Sequence, residues 1–347
     1  MRVHRQRIRY IDGMPPKLSI PNLYAAVRQL IDKIPRGRVT TYGDIAEALG
    51  SVSAARWVGE FMAHHQHDKK CNCHRVVRRT GEVGLYVRGD VSRKIAELMS
   101  ERVDVDDDGV IDLKRYRFSE FKGRRPLARL LRMQDEIRDQ LKLTAYRAKP
   151  KTVAGVDLSY EKKSSGEPNY AFATYAVVEP RRHALVSSHT IRRRVRFPYI
   201  AGFLSFREAP ILFDLLDEVL KREQLADVIL VDGNGLLHPR RAGIATFLGV
   251  HYDVRTVGVG KSLLCGTVED DGSPAATPKP IRLDGKQVGY AVGNSDKSSP
   301  IFVSPGHRMT VKSSLRVVQQ MFANHRVPEP IFEADRISRN AVKAAKK

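Results

Sequence analysis

Cysteine is scarce in this 347-residue chain. Cys71, Cys73 and Cys265 are the whole complement, too few for a disulfide framework, so a reducing, intracellular site is the simpler reading. Long apolar runs are missing as well. No stretch approaches the ~20 residues that cross a bilayer, and Met1-Arg2-Val3-His4-Arg5 is followed by no signal-type apolar segment. A cytoplasmic protein with no membrane partner is expected. Acidic residues are outnumbered, 39 Asp and Glu against 60 Lys and Arg, which leaves a formal net charge of +21. An excess of that size suits a polyanionic partner. No internal repeat is visible, and no C-x-x-C pair sets up a standard zinc motif.

The length accommodates two ordinary domains, each with its own core. Apolar positions recur at helical spacing over 22–34 and again over 42–49, where Gly50 suits a C-cap. The short Ser51-Val52-Ser53 turn leads into a third helical stretch from Ala54 to about Ala63, a pattern compatible with a helix-turn-helix. The run Asp104-Val105-Asp106-Asp107-Asp108-Gly109 then breaks the periodicity. Its spacing invites a calcium loop, but the twelfth position is Arg115 where a bidentate Glu is needed, so 104–126 reads as a turn-forming linker. After Pro126 come an amphipathic helix to about Leu143, a strand ending at Asp157, strands over 170–179 and 184–191, a helix over 211–221 and a strand leading to Asp232. Strands that first pair through turns and then alternate with helices predict a mixed sheet flanked by helices. The Ala- and Lys-rich residues 341–347 read as a frayed basic tail.

Three acidic residues follow apolar runs far apart in this second half: Asp157 after Val153-Ala154-Gly155-Val156, Glu208 after Phe203-Leu204-Ser205-Phe206-Arg207, and Asp232 after Val228-Ile229-Leu230-Val231. Hard oxygen ligands gathered from distant segments suit Mg²⁺, which takes carboxylates, keeps waters and works on phosphates. Metal-dependent phosphodiester chemistry is the resulting expectation. A lone Asp after a strand is more often a turn residue, so the motifs around these positions matter.

Those motifs are Val153-Ala154-Gly155-Val156-Asp157-Leu158-Ser159, the segment from Pro198 to Glu208, Val231-Asp232-Gly233-Asn234-Gly235-Leu236-Leu237-His238-Pro239-Arg240, Gly258-Val259-Gly260-Lys261-Ser262 and Ile301-Phe302-Val303-Ser304-Pro305-Gly306-His307. Together, and in this order, they resemble endonuclease V, the nuclease of deaminated purines. The resemblance implies a ribonuclease H-like fold, a Mg²⁺ site with Mn²⁺ as an alternative ion, and cleavage at the second phosphodiester 3′ to hypoxanthine, leaving 3′-hydroxyl and 5′-phosphate ends. It implies Asp157, Glu208 and Asp232 at the metal, Lys261 against the scissile phosphate, Tyr199 and Gly202 in a strand-separating wedge, and Gly233, Gly235 and His238 in the lesion pocket. Asp335 stands where members of this family can place a histidine, and is taken as a further metal ligand.

Cys73 lies in Asn72-Cys73-His74-Arg75-Val76-Val77, preceded by Ala55-Arg56-Trp57-Val58-Gly59 and followed by Gly81-Glu82-Val83-Gly84-Leu85-Tyr86. This stretch resembles the DNA-binding, active-site domain of O6-alkylguanine-DNA alkyltransferase, a mainly helical, winged helix-turn-helix-like fold. The resemblance implies Cys73 as a stoichiometric alkyl acceptor, His74 as its base through water, Glu101 orienting His74, Arg56 filling the gap left by a flipped nucleotide, and Tyr42 against the 3′ phosphate. Two positions depart from the pattern: Asn72 replaces the usual proline and His65 the usual asparagine. A rival reading is metal, because His64, His65, His67, Cys71, Cys73 and His74 offer zinc ligands.

The expected protein is a bifunctional DNA repair enzyme, a Mg²⁺-dependent endodeoxyribonuclease joined to a methylated-DNA-cysteine S-methyltransferase, acting on double-stranded DNA with alkylated or deaminated bases. The expected boundaries are an extension over 1–17, the alkyltransferase-like domain over 18–103, the linker over 104–126, the endonuclease domain over 127–340 and the tail. Two alternatives stay open: a nuclease whose N-terminal module only binds DNA or lesions, and a nuclease acting on inosine-containing RNA.

Overall fold

The computed structural model describes residues 18–345 apart from 66, 68–70, 85, 87, 88, 162–168 and 223. The expected extension over 1–17, most of the basic segment over 66–70 and the last two tail residues lie outside the described residues. The chain divides into two units, one built on Ile20–Arg132 with Arg196–Phe203, the other on Met133–Val195 and the chain from Leu204 onward. Among the described residues no helix is long and apolar enough to cross a membrane.

The first unit is mainly helical. Helix α1 (Leu23–Asp32) starts at Asn22, whose side chain accepts from the Ala25 N–H at 3.1 Å, the usual service of an Asn N-cap. Strand β1 (Thr40–Thr41) runs into α2 (Tyr42–Leu49), which opens with a capping box between Thr41 and Asp44 and closes on Gly50 at φ 107°. Only glycine takes that backbone easily, and a Cβ there would also press on the Ala128 backbone. A 3₁₀ turn then leads to α3 (Ala55–His64), so the expected helix-turn-helix is formed. Strand β2 (Val76–Val77) pairs in parallel with β1, and α4 (Val91–Ser100) and α5 (Leu113–Tyr116) complete the unit.

The segment 104–126 is not the solvated linker that its acidic run suggests. Ile111 and Tyr116 are buried with Val39, Val77, Val83, Leu98 and Val103 in one apolar cluster, and Arg117 bonds to Asp44. A few apolar side chains spaced through the polar run supply the driving force. The acidic residues form a turn, as expected: the Asp106 side chain accepts from the N–H groups of Asp108 and Val110. Helix α6 (Pro126–Asp139) then carries the chain toward the second unit.

That unit is a nine-stranded mixed sheet flanked by helices. Its strands are β3 (Val153–Tyr160), β4 (Tyr170–Glu179), β5 (Ala184–Arg194), β6 (Val228–Asp232), β7 (Thr256–Gly260), β8 (Thr267–Val268), β9 (Lys279–Leu283), β10 (Lys286–Val292) and β11 (Ile301–His307). The order across the sheet is β5-β4-β3-β6-β7-β11-β10-β9-β8, with β3, β6 and β7 mutually parallel and the rest antiparallel. The parallel centre is buried on both faces: β3, β6 and β7 present near-continuous buried runs, as the helices that join them require. The helices of this unit are α7 (Leu204–Leu220) and α8 (Ile244–Tyr252), which lead into β6 and β7, and α9 (Val311–Gln320) and α10 (Glu329–Ala344), which follow β11.

Several boundaries depart from expectation: α6 ends at Asp139 rather than about Leu143, and β5 runs on to Arg194 rather than ending at Ile191. Helix α7 begins at Leu204 rather than Ile211 and runs through Pro210. Ser205 to Ala209 are all buried, so tertiary packing outweighs the missing proline N–H. The tail is not frayed from Ala341, because α10 continues to Ala344 and buries Val342.

Candidate active sites

The nuclease-type site is built at the centre of the sheet. In the β3–β6 ladder Val156 pairs with Val231, so the next residues, Asp157 and Asp232, stand on adjacent parallel strands. Ser338 of α10 donates to Asp157 Oδ2 at 3.1 Å. Lys261, just past β7, reaches Asp232 at 2.6 Å and lies 4.0 Å from Asp335 of α10, which also pairs with Arg339. Glu208 projects from α7, is buried, and accepts from the Tyr160 hydroxyl at 2.9 Å. The five residues expected around a metal and a phosphate therefore come from three strands or their ends and two helices. Sequence reading missed Tyr160 and Ser338, since a hydroxyl on a strand or helix carries no signal until its neighbour is known.

The electrostatics are those of crowded acids. Burial, then the hydrogen bond and charge of Asp232, push Asp157 well above the ordinary carboxylate range. Burial raises Glu208 to about 7, against the opposing pull of Tyr160 and Arg207. Burial works to lower Lys261, but Asp232 and its neighbouring carboxylates outweigh it and hold the ammonium above its usual value. A set of oxygen donors, buried at Asp157 and Glu208 and half-buried at Asp232 and Asp335, crowded enough to resist ionisation, is what a hard divalent cation fits.

In the first unit, Cys73 is the second residue of the short 3₁₀ turn 72–75 and is buried. Glu101 accepts from His74 Nε2 at 3.0 Å, and also holds Arg75 through two bonds of 2.6 and 2.8 Å and the Gly37 N–H at 3.2 Å. Burial resists ionisation of Glu101, but these donors bring it down to about 2. His74 Nδ1 lies 3.2 Å from Glu97. The imidazole nitrogen against the Cys73 sulfur, at 3.3 Å, is Nδ1 of His67, a residue read from the sequence only as a zinc candidate. Tyr42 is half-buried at the start of α2, and its hydroxyl is held above its usual value by burial and by the Cys73 charge. Arg56 is exposed on α3.

The family profile described as Endonuclease V matches residues 135–336, and that described as 6-O-methylguanine DNA methyltransferase, DNA binding domain, matches residues 22–103. A bifunctional methyltransferase/endonuclease of Picrophilus torridus is 32% identical over 304 residues, which cover 88% of this chain and 92% of the relative. The chain belongs to the endonuclease V family, in its bifunctional methyltransferase/endonuclease form. The catalytic domain of human endonuclease V superposes with a TM-score of 0.59 at 28% identity, covering 65% of this chain and 98% of that one. Endonuclease V of Ciona intestinalis, in complex with DNA containing an inosine followed by a ribo-adenosine, gives 0.57 at 29% identity, covering 63% and 98%. Fold and bifunctional DNA repair activity thus agree with the sequence reading, and the endonuclease V family is in general divalent-metal dependent.

The remaining endonuclease V motif residues are placed as follows. Tyr199 is 62% exposed, and Gly202 takes φ +80° with open space around it. Gly233, at φ +141°, faces the Ile244 side chain. A Cβ on Gly235 would overlap the Pro305 carbonyl, and its N–H donates to Ser304 Oγ at 3.0 Å. The missing side chain at 235 thus admits the backbone of β11. His238 is buried, and its Nδ1 accepts from the Arg240 N–H at 3.2 Å.

Proposed function

We propose that this endonuclease V half cuts DNA at the second phosphodiester 3′ to hypoxanthine, with Mg²⁺ held by Asp157, Glu208 and Asp232, directly or through water, and with Asp335 beside them. The observation that carries this reading is the adjacency of Asp157 and Asp232 on β3 and β6 with Lys261 bonded across. Mg²⁺ or Mn²⁺ bound there would polarise the phosphoryl oxygens and lower the pKa of the attacking water. Lys261 would turn from Asp232 to the charge developing on the phosphate. Tyr160 and Ser338 fix the Glu208 and Asp157 carboxylates, so little reorganisation is left for the reaction. Tyr199 would stack where the extruded base has left, while Gly202 frees the turn behind it, and Gly233, Gly235 and His238 would shape the pocket. The inosine-containing DNA bound by the Ciona relative supports this substrate class.

In the alkyltransferase half, the Cys73 thiolate would attack the alkyl carbon of O6-alkylguanine. The carbon–O6 bond would break as the carbon–sulfur bond forms, and the departing guanine would take up the proton that the thiol had given to His74 through water. Glu101 orients His74, and Arg56 and Tyr42 would hold the nucleotide outside the stack.

A duplex carrying one deoxyinosine, incubated with Mg²⁺ or EDTA beside the Asp232→Ala variant, tests the first activity. A nick one nucleotide beyond the lesion, lost in EDTA and in the variant, is expected. Nicking of ribo-inosine RNA alone would shift the substrate to RNA. Mass gain at Cys73 after exposure to O6-methylguanine DNA tests the second, since a module that merely binds gains nothing.

A further inference from the structure

The six histidines and cysteines that the sequence offers as zinc ligands separate into four and two. His64 Nδ1 goes to the Glu60 carbonyl and His74 to Glu101. The ligand atoms of His65, His67, Cys71 and Cys73 all lie within 4.8 Å of one another. We propose that these four residues form a binding site for Zn²⁺, chemically unlike the carboxylate centre of the nuclease half.

The donor set is two imidazoles and two thiols, the composition of a closed tetrahedral zinc site. Two of the donor pairs already sit near the separations a bound ion sets. His65 Nε2 is 3.2 Å from Cys71 Sγ, and His67 Nδ1 is 3.3 Å from Cys73 Sγ. With zinc–sulfur bonds of about 2.3 Å and zinc–nitrogen bonds of about 2.0–2.1 Å, tetrahedral donors stand roughly 3.3–3.8 Å apart. Little movement separates this arrangement from a ligated one.

Ring orientation is the stronger argument. His65 Nδ1 lies 3.0 Å from the Met62 carbonyl. A carbonyl only accepts, so Nδ1 carries the proton and the Nε2 lone pair is aimed at the sulfurs. His65 is also stacked on Phe61 at 5.3 Å, which fixes the ring plane. The Tyr86 hydroxyl donates to Glu97 at 2.9 Å, so its oxygen faces His67 Nε2 at 3.5 Å as an acceptor. That places the His67 proton on Nε2 and turns the Nδ1 lone pair toward Cys73. Both ligand histidines therefore have the outer hydrogen-bond partner that sets the tautomer of a metal-binding ring. Two thiolates would cancel the charge of the ion, leaving a neutral site in this half-buried corner.

The site goes beyond alkyl transfer and does not depend on it, although it includes the sulfur proposed as the alkyl acceptor. Metal and alkyl group would then meet at one atom, with the metal holding Cys73 as thiolate.

The test uses the full-length protein, stripped with a chelator, dialysed, and titrated with Co²⁺. One equivalent is expected to give thiolate charge-transfer and tetrahedral d–d absorption, and Zn²⁺ is expected to displace it, as the order of affinities requires. Cys71→Ser and His65→Ala should each weaken binding at least tenfold while far-ultraviolet circular dichroism stays native. Cys265→Ser should not weaken it. In the unmutated protein, Zn²⁺ should slow iodoacetamide labelling of Cys71 and Cys73 at least tenfold and leave Cys265 unchanged. No charge-transfer band, a band that survives both ligand variants, or labelling indifferent to Zn²⁺ would overturn the site. Mass gain from O6-methylguanine DNA, measured on the metal-free protein, reports alkyl transfer separately, so either reading can fail alone.

Discussion

Asp157 and Asp232 are neighbours because Val156 and Val231 are paired in the parallel β3–β6 ladder. The sheet register, formed by apolar residues with no chemistry of their own, forces two acids together that would separate in water. Like charges held so close destabilise the fold that carries them, a cost that functional sites commonly bear.

Asp157→Asn should therefore uncouple stability from activity. The amide oxygen still accepts from Ser338, and one of the crowded charges is gone. In EDTA the thermal midpoint is expected to rise by about 2–4 °C, the equivalent of about 1 kcal/mol in a unit of this size. Nicking of a deoxyinosine duplex should fall at least about 100-fold, the scale on which loss of a charge-stabilising group acts. Mg²⁺ should raise the midpoint of the unmutated protein more than that of the variant. A variant that melts lower in EDTA would show that the carboxylate pair is not strained.

Gly155 lies two residues before Asp157, where α10 crosses β3 so closely that a Cβ would overlap the Pro330 carbonyl. A backbone atom cannot step aside as a flexible side chain can. Gly155→Ala should push α10 outward and carry Ser338 and Asp335 with it, costing about 3 kcal/mol or more and most of the nicking activity. Gly59, inside α3, makes the internal contrast: nothing lies within 4 Å of its added Cβ, so Gly59→Ala should stabilise by up to about 1 kcal/mol through helix propensity. Urea denaturation of the two variants side by side measures both signs.

The fold was legible wherever one principle ruled locally. The periodicity over 22–34 and 42–49 marked real helices and Gly50 a real helix end, and the apolar runs before Asp157 and Asp232 marked buried strands. Legibility failed where distant packing decided: Pro210 lies inside α7 because Ser205–Ala209 are buried, and Ile111 and Tyr116 draw an acidic segment onto a core. The site follows the same division. Acids and the lysine could be read from motifs, whereas the hydroxyls of Tyr160 and Ser338 could not. His67 shows the limit most clearly, since the resemblance implied only His74, acting through water, and the folded chain sets His67 directly against the Cys73 sulfur.

Tyr199 is the largest exposed aromatic side chain of its motif, 62% accessible, and so contributes little to the core. Tyr199→Ala should leave the thermal midpoint within about 2 °C, as surface substitutions do. If its ring holds strands apart, nicking of a fully paired deoxyinosine duplex should fall at least about tenfold, given stacking worth about 1–3 kcal/mol. Nicking of the same strand with the lesion in a bubble should fall much less, because the unpairing is already done. Equal losses on both substrates would assign Tyr199 to general binding instead.

Glu101 shows how an apparent catalytic residue can also be a structural one. Its carboxylate accepts from His74, but it bonds more closely to Arg75, which is only 8% exposed and whose remaining polar contact is to the Ile34 carbonyl at 2.7 Å. Glu101→Gln would leave that guanidinium buried without a counter-charge, a loss of about 3–5 kcal/mol. The pH dependence identifies the cause. The folded pKa is lowered to about 2 from an ordinary value of about 4.3, so the ionised form is favoured by folding. Its stabilisation is complete above about pH 4.3 and fades as pH falls toward 2. The gap between the unmutated protein and Glu101→Gln, measured by urea denaturation, should be widest near neutral pH and close progressively from about pH 4.3 down to about 2, below which both side chains are uncharged. Alkyl transfer to Cys73 should then be compared at a temperature where the variant is fully folded: a rate still reduced there assigns Glu101 to orienting His74, and a restored rate assigns it to Arg75 alone.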